Sequence, residues 1–165
     1  MPDGAGRCYG SLDLAARAAE PEEIAALLRE ISRLRQPLLL SSPAQRCRDL
    51  AQHLGPAPRL EPRLREVDFG AWEGLPWDAV PRAALDAWAA DPSGFTPPGG
   101  ESMGDLLARL GALAGELRRA GRDAVLVTHG GPMRVLPALL RGEAPDLLSP
   151  APRFGGMLRV ELPGA

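Results

Sequence analysis

Residues 124–140 read "AVLVTHGGPMRVLPALL". Ala124 to Val127 form an apolar run of strand length, which ends in Thr128-His129-Gly130-Gly131-Pro132 and passes directly into a second apolar stretch. This predicts a buried strand that delivers His129 to the N-terminus of a helix running from Pro132 to Arg141. A histidine so placed usually works with partners, and the chain holds one other, His53.

Upstream, the chain repeats the same alternation. In "EPEEIAALLREISRLR" (20–35), Ile24, Leu27, Leu28, Ile31 and Leu34 recur at helical spacing, so the segment predicts a helix with one buried face. "PLLLSS" (37–42) reads as a short strand, and the helix after it opens with Ser42 and Gln45 spaced as a capping box, with Pro43 at its first position. Residues 59–77 are turn-rich with at most one short strand, residues 80–91 a short helix, and residues 91–100 a loop. A long helix spans 101–120 with Gly121 as its stop, and "MLRVELP" (157–163) reads as a final strand. Helices alternating with short apolar strands indicate an α/β sandwich on a mostly parallel sheet, whose site lies beyond the carboxyl ends of the strands.

With 165 residues the chain suits one domain, able to bury roughly 70% of its unfolded surface. The 45% hydrophobic and 24% charged content is that of a soluble protein, and no apolar run approaches the roughly 18 residues a membrane span needs. The first residues lack the pattern of a secretory signal, so a cytoplasmic location is expected. Cys8 and Cys47 suit neither a disulfide framework nor a zinc site and are read as free thiols. A net charge of −2 argues against nucleic acid as a partner. All nineteen basic residues are arginine, the better bidentate ligand for phosphate.

Two segments share one geometry of strand, polar residue and helix N-terminus: "LLLSSPAQR" with Ser41, Ser42 and Arg46, and "VLVTHGGPMR" with His129 and its glycines. Helix N-termini attract anions, and Gly130 and Gly131 let a ligand approach the backbone. Each residue also has a structural reading: Ser42 as a cap, Arg46 as a surface ion-pair partner, His129 as a satisfied strand-end residue. In "LREVDFGAWEG" (64–74), Glu66 and Asp68 precede a Gly/Trp-rich turn. A carboxyl held there against aromatic surface has its pKa raised and can act as a general acid toward a leaving alkoxide. The alternative is a solvated loop with Trp72 as a core plug.

"SSPAQRCRDLA" (41–51), "LREVDFGAWEG" (64–74), "PPGGES" (97–102) and "LVTHGGPMRVL" (126–136), in that order, resemble the motifs of the histidine phosphatase (phosphoglycerate mutase-like) superfamily. "GRCYGSLDL" (6–14) is most similar to its α-ribazole phosphatase branch. The resemblance implies a three-layer α/β/α fold and a phosphomonoesterase that works without metal or cofactor, through a phosphohistidine intermediate. By motif, Arg46 would bind the transferred phosphoryl group together with Gly130. Glu66 would protonate the leaving oxygen, and His129 would be the second active-site histidine. Tyr9, Glu101 and Ser102 would lie near the substrate mouth. The implied partner is a small phosphorylated metabolite, α-ribazole 5′-phosphate of cobalamin nucleotide-loop assembly for that branch. The short chain leaves little material for the insertions with which mutases cap their site.

Family members open with a strand ending in Arg-His-Gly, whose histidine is the nucleophile, and this sequence has no histidine before His53. His53 falls in the last turn of the helix that starts at Ser42, where it suits the helix dipole. Losing a covalent nucleophile from a cooperating site costs on the order of 10⁶ in turnover. A sheet without that strand leaves interior backbone groups unpaired at roughly 1–3 kcal/mol each. The expectation is therefore an N-terminally incomplete domain, inactive as it stands, whose natural start lies upstream of Met1. The alternatives are a pseudoenzyme that binds a phosphorylated ligand, and a strand supplied by another chain.

Gly100-Glu101-Ser102-Met103-Gly104 is a literal G-x-S-x-G, the mark of a serine hydrolase elbow. That motif needs a buried strand before the serine, and "SGFTPPGG" cannot form one, so Ser102 with Asp105 reads as a helix cap.

Overall fold

The structure, a computed structural model, describes residues 6–14, 18–147, 149–150, 152 and 155–162. Helix α1 (Pro21–Ile31) starts at a proline and is closed by a capping box between Glu20 and Glu23. Strand β1 (Leu38–Ser41), helix α2 (Gln45–Leu54) and strand β2 (Arg59–Leu60) follow. Three single 3₁₀ turns (Pro62–Leu64, Gly70–Trp72 and Trp77–Ala79) lead to helix α3 (Arg82–Ala90). Helix α4 (Met103–Ala120) stops at Gly121, whose φ of 57° is the left-handed conformation that a glycine adopts without penalty. Strand β3 (Ala124–Val127) runs into helix α5, which begins already at Gly130, ahead of Pro132, and ends at Arg141.

The three strands lie in the order β2-β1-β3, all parallel, with Leu38 opposite Ala124 and Ser41 opposite Val127. Alternate residues face opposite layers. Leu40 and Leu126 turn toward α4 and α5 and join Leu64, Leu106, Leu110, Leu113 and Val135 in the main core. Leu39 and Val127 turn toward α2 and pack on Cys47 and Ala51. β1 and β3 are therefore covered on both faces, as their apolar sequences require, whereas the two-residue β2 is exposed. Parallel order also places the ends of β1 and β3 side by side. Among the described residues no helix is long and apolar enough to cross a membrane.

Three expectations fail, two of them beside the free edge of β3. Residues 157–162 form no strand, and Pro163 lies outside the described residues. Among the described residues β3 pairs only with β1, and 157–162 lie along the cavity on its open side without joining its ladder. Val160 and Leu162 pack against the core while Met157 and Leu158 stay about half exposed, at 50% and 49%. The predicted buried face of α1 is not buried either: none of its residues is fully covered, and Leu28 is 40% exposed. Leu27 and Ile31 face the cavity that borders β3, where among the described residues no further strand lies for them to cover. The third correction concerns the start of α2. Its cap residue is Ala44, and the Gln45 N–H donates to Asp13 Oδ1 at 2.7 Å. Ser42 reaches the Ala44 N–H only at 3.4 Å, because its hydroxyl is turned into the site described next.

Candidate active site

The Ser42 N–H donates to the Val127 carbonyl at 2.8 Å, which brings the end of β1 against the His129 turn. His129 caps α5 with an extended backbone and is 9% exposed. Its Nε2 lies 2.8 Å from Ser42 Oγ and 3.5 Å from Cys47 Sγ. Burial, helped by the Arg46 and Arg109 cations, lowers its pKa to about 3. At neutral pH His129 is thus an uncharged imidazole, able to polarise a phosphoryl oxygen by hydrogen bonding rather than as a cation. The Cys47 thiol donates to the Thr128 carbonyl, and burial raises its pKa to about 11, which makes it inert as a nucleophile. Cys8 and Cys47 are both free and buried.

Glu66 occupies the N-terminus of α5. Both its carboxylate oxygens accept from the Gly131 N–H at 3.1 Å, and Oε1 also accepts from the Val67 N–H at 3.0 Å. Burial raises its pKa against these hydrogen bonds and against the nearby Arg46 and Arg109. The group therefore holds a proton more readily than an ordinary carboxylate, as a general acid must. A Cβ on Gly131 would overlap Glu66 Oε1 and meet Val67 Cγ2 at 3.3 Å, so this glycine makes room for Glu66. Gly130, the first helical residue, and Gly131 both border the cavity.

Arg46 does pair with half-exposed Asp13, at 3.8 Å, but its own side chain is buried, 7% exposed. It donates to the carbonyls of Leu12 (2.8 Å) and Gly10 (3.0 Å), tying "CYGSLD" to the first turn of α2. The same segment is held from the other side by Glu73, which accepts from the backbone N–H groups of Ser11, Leu12 and Phe69 at 2.7, 2.6 and 3.0 Å. Tyr9 is carried to the cavity wall as a result.

Glu101 and Ser102 do not lie at the mouth. Glu101 pairs through both oxygens with Arg109, which also donates to the carbonyls of Arg63, Arg65 and Glu66. This clamp fixes the loop that carries Glu66. Ser102 caps α4 in a reciprocal box with Asp105, and the loop before it contains no strand, so the G-x-S-x-G is not a nucleophile elbow. Arg109 and Glu73 went unread in the sequence. Arg109 does leave a trace: a cation inside the apolar stripe of Leu106, Leu110 and Leu113 needs a buried partner.

Arg46, Glu66, His129, Gly130 and Tyr9 share one cavity of about 1480 Å³, which continues along the free edge of β3. His53, exposed in the last turn of α2, does not border it. The model of the histidine phosphatase superfamily (branch 1) matches residues 3–152. The chain belongs to this family. Its curated relatives include the glucosyl-3-phosphoglycerate phosphatase of Mycobacterium tuberculosis, 38% identical over 67% of this chain and 57% of the relative's length. Phosphoserine phosphatase 1 of Hydrogenobacter thermophilus is 28% identical over 83% of this chain and 69% of its own. The chain thus spans little more than half of the first of these histidine phosphatases. Among solved structures, the mycobacterial glucosyl-3-phosphoglycerate phosphatase superposes with a TM-score of 0.70 at 33% identity, covering 86% of this chain and 77% of that one. The protein TTHB049 of Thermus thermophilus gives 0.62 at 36% identity, covering 88% and 81%.

Proposed function

We propose that this cavity binds a small phosphomonoester, and that Glu66 is the acid that protonates the leaving oxygen in phosphoryl transfer. The observation that carries the reading is the convergence of Arg46, Glu66 and His129 on one cavity beyond the ends of β1 and β3. Arg46 spends two of its five donors on the carbonyls of Gly10 and Leu12, which leaves the others for phosphoryl oxygens. A carboxyl with a raised pKa can hold a proton near a dianion where an ordinary carboxylate would repel it. The chemistry of the family needs a second imidazole as nucleophile, and His53 does not reach the cavity. The 165 residues by themselves therefore bind phosphomonoesters without turning them over. As for the substrate, the named relatives favour a phosphorylated glycerate or serine derivative. The α-ribazole phosphate reading rests on "CYGSLDL" alone and is set aside.

Calorimetry with inorganic phosphate tests the binding, and phosphate release from glucosyl-3-phosphoglycerate and O-phosphoserine tests the turnover. The native chain should bind phosphate, Arg46→Met should weaken that binding at least about tenfold by removing a charge-assisted contact, and neither ester should be hydrolysed. Equal phosphate affinity in Arg46→Met overturns the assignment of Arg46. Release that disappears in Glu66→Gln overturns the absence of turnover.

A further inference from the structure

The chain contains three tryptophans, three phenylalanines and one tyrosine. Apart from Phe154, which lies outside the described residues, five of them, Phe69, Trp72, Trp77, Trp88 and Phe95, form one contacting group, and Phe69, Trp77 and Trp88 line the cavity together with Tyr9. The core between the sheet and helices α4 and α5 is built from buried aliphatic side chains. Trp72, 3% exposed, forms the floor of the aromatic group, stacking on Phe95 at 5.6 Å and meeting Trp88 edge-on at 6.1 Å. Above it Trp77 and Trp88 lie parallel, 6.2 Å apart with 7° between their planes, and Phe69 stands edge-on to both at 5.8 and 6.0 Å. Rings that served only to fill a core would be enclosed as Trp72 is. Phe69, Trp77, Trp88 and Tyr9 instead remain partly open and border the same cavity as Arg46, Glu66 and His129. Phe69 stands on the loop that carries Glu66, so the aromatic wall begins beside the acid that faces the leaving group.

We propose that this wall is a platform for the alcohol half of the substrate, and that it selects phosphomonoesters whose leaving alcohol presents a flat ring face. The ring is either a sugar, whose C–H face packs on aromatic surface, or an aromatic system. Trp77 and Trp88 are the specificity-determining residues. The inference rests on the phosphate site proposed above and adds to it the shape of the substrate.

All three tryptophans lie in this cluster, so intrinsic fluorescence reports its occupancy directly. The probes are inorganic phosphate, O-phosphoserine, glucosyl-3-phosphoglycerate as a sugar ester and 4-nitrophenyl phosphate as an aromatic one. Affinities come from calorimetry, because the nitrophenyl group absorbs where tryptophan emits. At least one ring ester should bind about tenfold tighter than O-phosphoserine, the scale of one good aromatic contact, and the sugar ester should shift the tryptophan emission. Which ring ester does so distinguishes a sugar from an aromatic occupant. Trp77→Leu and Trp88→Leu should erase the preference while leaving the affinity for inorganic phosphate unchanged, and Trp77→Phe should restore most of it. If the native chain binds ring and ringless esters equally, or if the leucine variants lose phosphate and ring esters in parallel, the platform is overturned and the wall is structural. If inorganic phosphate fails to bind the native chain, the phosphate site fails first and the platform with it.

Discussion

Replacing Gly131 by alanine sets helix propensity against the seat of Glu66. Alanine in a helix interior is favoured over glycine by about 0.8–1.0 kcal/mol, and Gly131 has no left-handed φ to penalise a side chain. Propensity alone therefore predicts stabilisation. The new Cβ, however, falls on Glu66 Oε1, so the carboxyl must leave the position where both its oxygens accept from the Gly131 N–H. Hydrogen bonds to a charged group are worth about 1.5–3 kcal/mol, and a buried acceptor left unpaired costs about as much. Subtracting the propensity gain leaves a net destabilisation of about 1–2 kcal/mol for Gly131→Ala. Denaturant unfolding at pH 7, followed by circular dichroism, measures it. In a Glu66→Ala background the obstruction is gone, and the same substitution should stabilise by up to about 1 kcal/mol. The change of sign gives a coupling of about 2 kcal/mol between two positions 65 residues apart in sequence. If Gly131→Ala is as stable as the native chain in both backgrounds, Glu66 does not sit against α5 and the proposed acid is misplaced.

His129 has a folded pKa of about 3, so as pH falls from 6.5 the unfolded chain takes up the proton first. The stability it contributes above pH 6.5 should be lost toward pH 3, with a slope approaching about 1.4 kcal/mol per pH unit. Glu66, with its raised pKa, acts in the opposite sense, contributing most at low pH and losing that contribution as pH rises through its folded pKa. The comparison of His129→Gln with its parent is therefore made in a Glu66→Gln background, and equal pH slopes would contradict the buried neutral imidazole. Arg109→Met removes the donors that hold Glu101 and three loop carbonyls, and should cost about 2–4 kcal/mol in thermal unfolding. A loss below about 0.5 kcal/mol would show that the clamp is not formed. In β3 the amides of Val125 and Val127 turn toward β1, while those of Ala124 and Leu126 face the cavity. Hydrogen exchange should therefore be at least about tenfold faster at the second pair, and uniform protection would mean that another strand covers this edge.

What could be read from the sequence was set by local pattern. β1 and β3 are uninterrupted apolar runs between turn signals, and α4 carries both its capping box and its terminal glycine within its own sequence, so each could be placed without knowledge of the rest. The motif residues Arg46, Glu66, His129 and Tyr9 do meet, because parallel strands bring their ends to one edge. The misreadings depend on partners outside the local pattern, from the next helix to distant segments. "MLRVELP" has the composition of a strand, but residues 157–162 leave the open edge of β3 unpaired, and composition does not decide pairing. Ser42 and Gln45 have the spacing of a capping box, yet the cap comes from Asp13, 32 residues away, and Ser42 turns to His129. Glu101 follows two glycines as a mouth residue might, but it is claimed by Arg109 from within the leucine stripe of α4.

The two helix N-termini that the sequence offered as anion receptors are both occupied by the chain's own carboxylates, Asp13 at α2 and Glu66 at α5. The two are not equivalent. Asp13 is about half exposed, near the Arg46 guanidinium at 3.8 Å, and a dianion arriving at Arg46 would meet it as a solvated competitor. Glu66 is enclosed, and its charged form is already disfavoured by burial. A phosphoryl group placed between Arg46 and His129 adds negative charge beside Glu66 and raises its pKa further, so ligand binding itself loads the acid with its proton. The same charge favours protonation of His129, whose neutrality rests on burial and on two neighbouring cations, one of which the phosphoryl group would neutralise. Burial is the larger cause of that neutrality, and the arginine share of it is the part a ligand would change. With a phosphoryl group in the proposed site, Arg46 would link phosphate binding to the protonation of both Glu66 and His129.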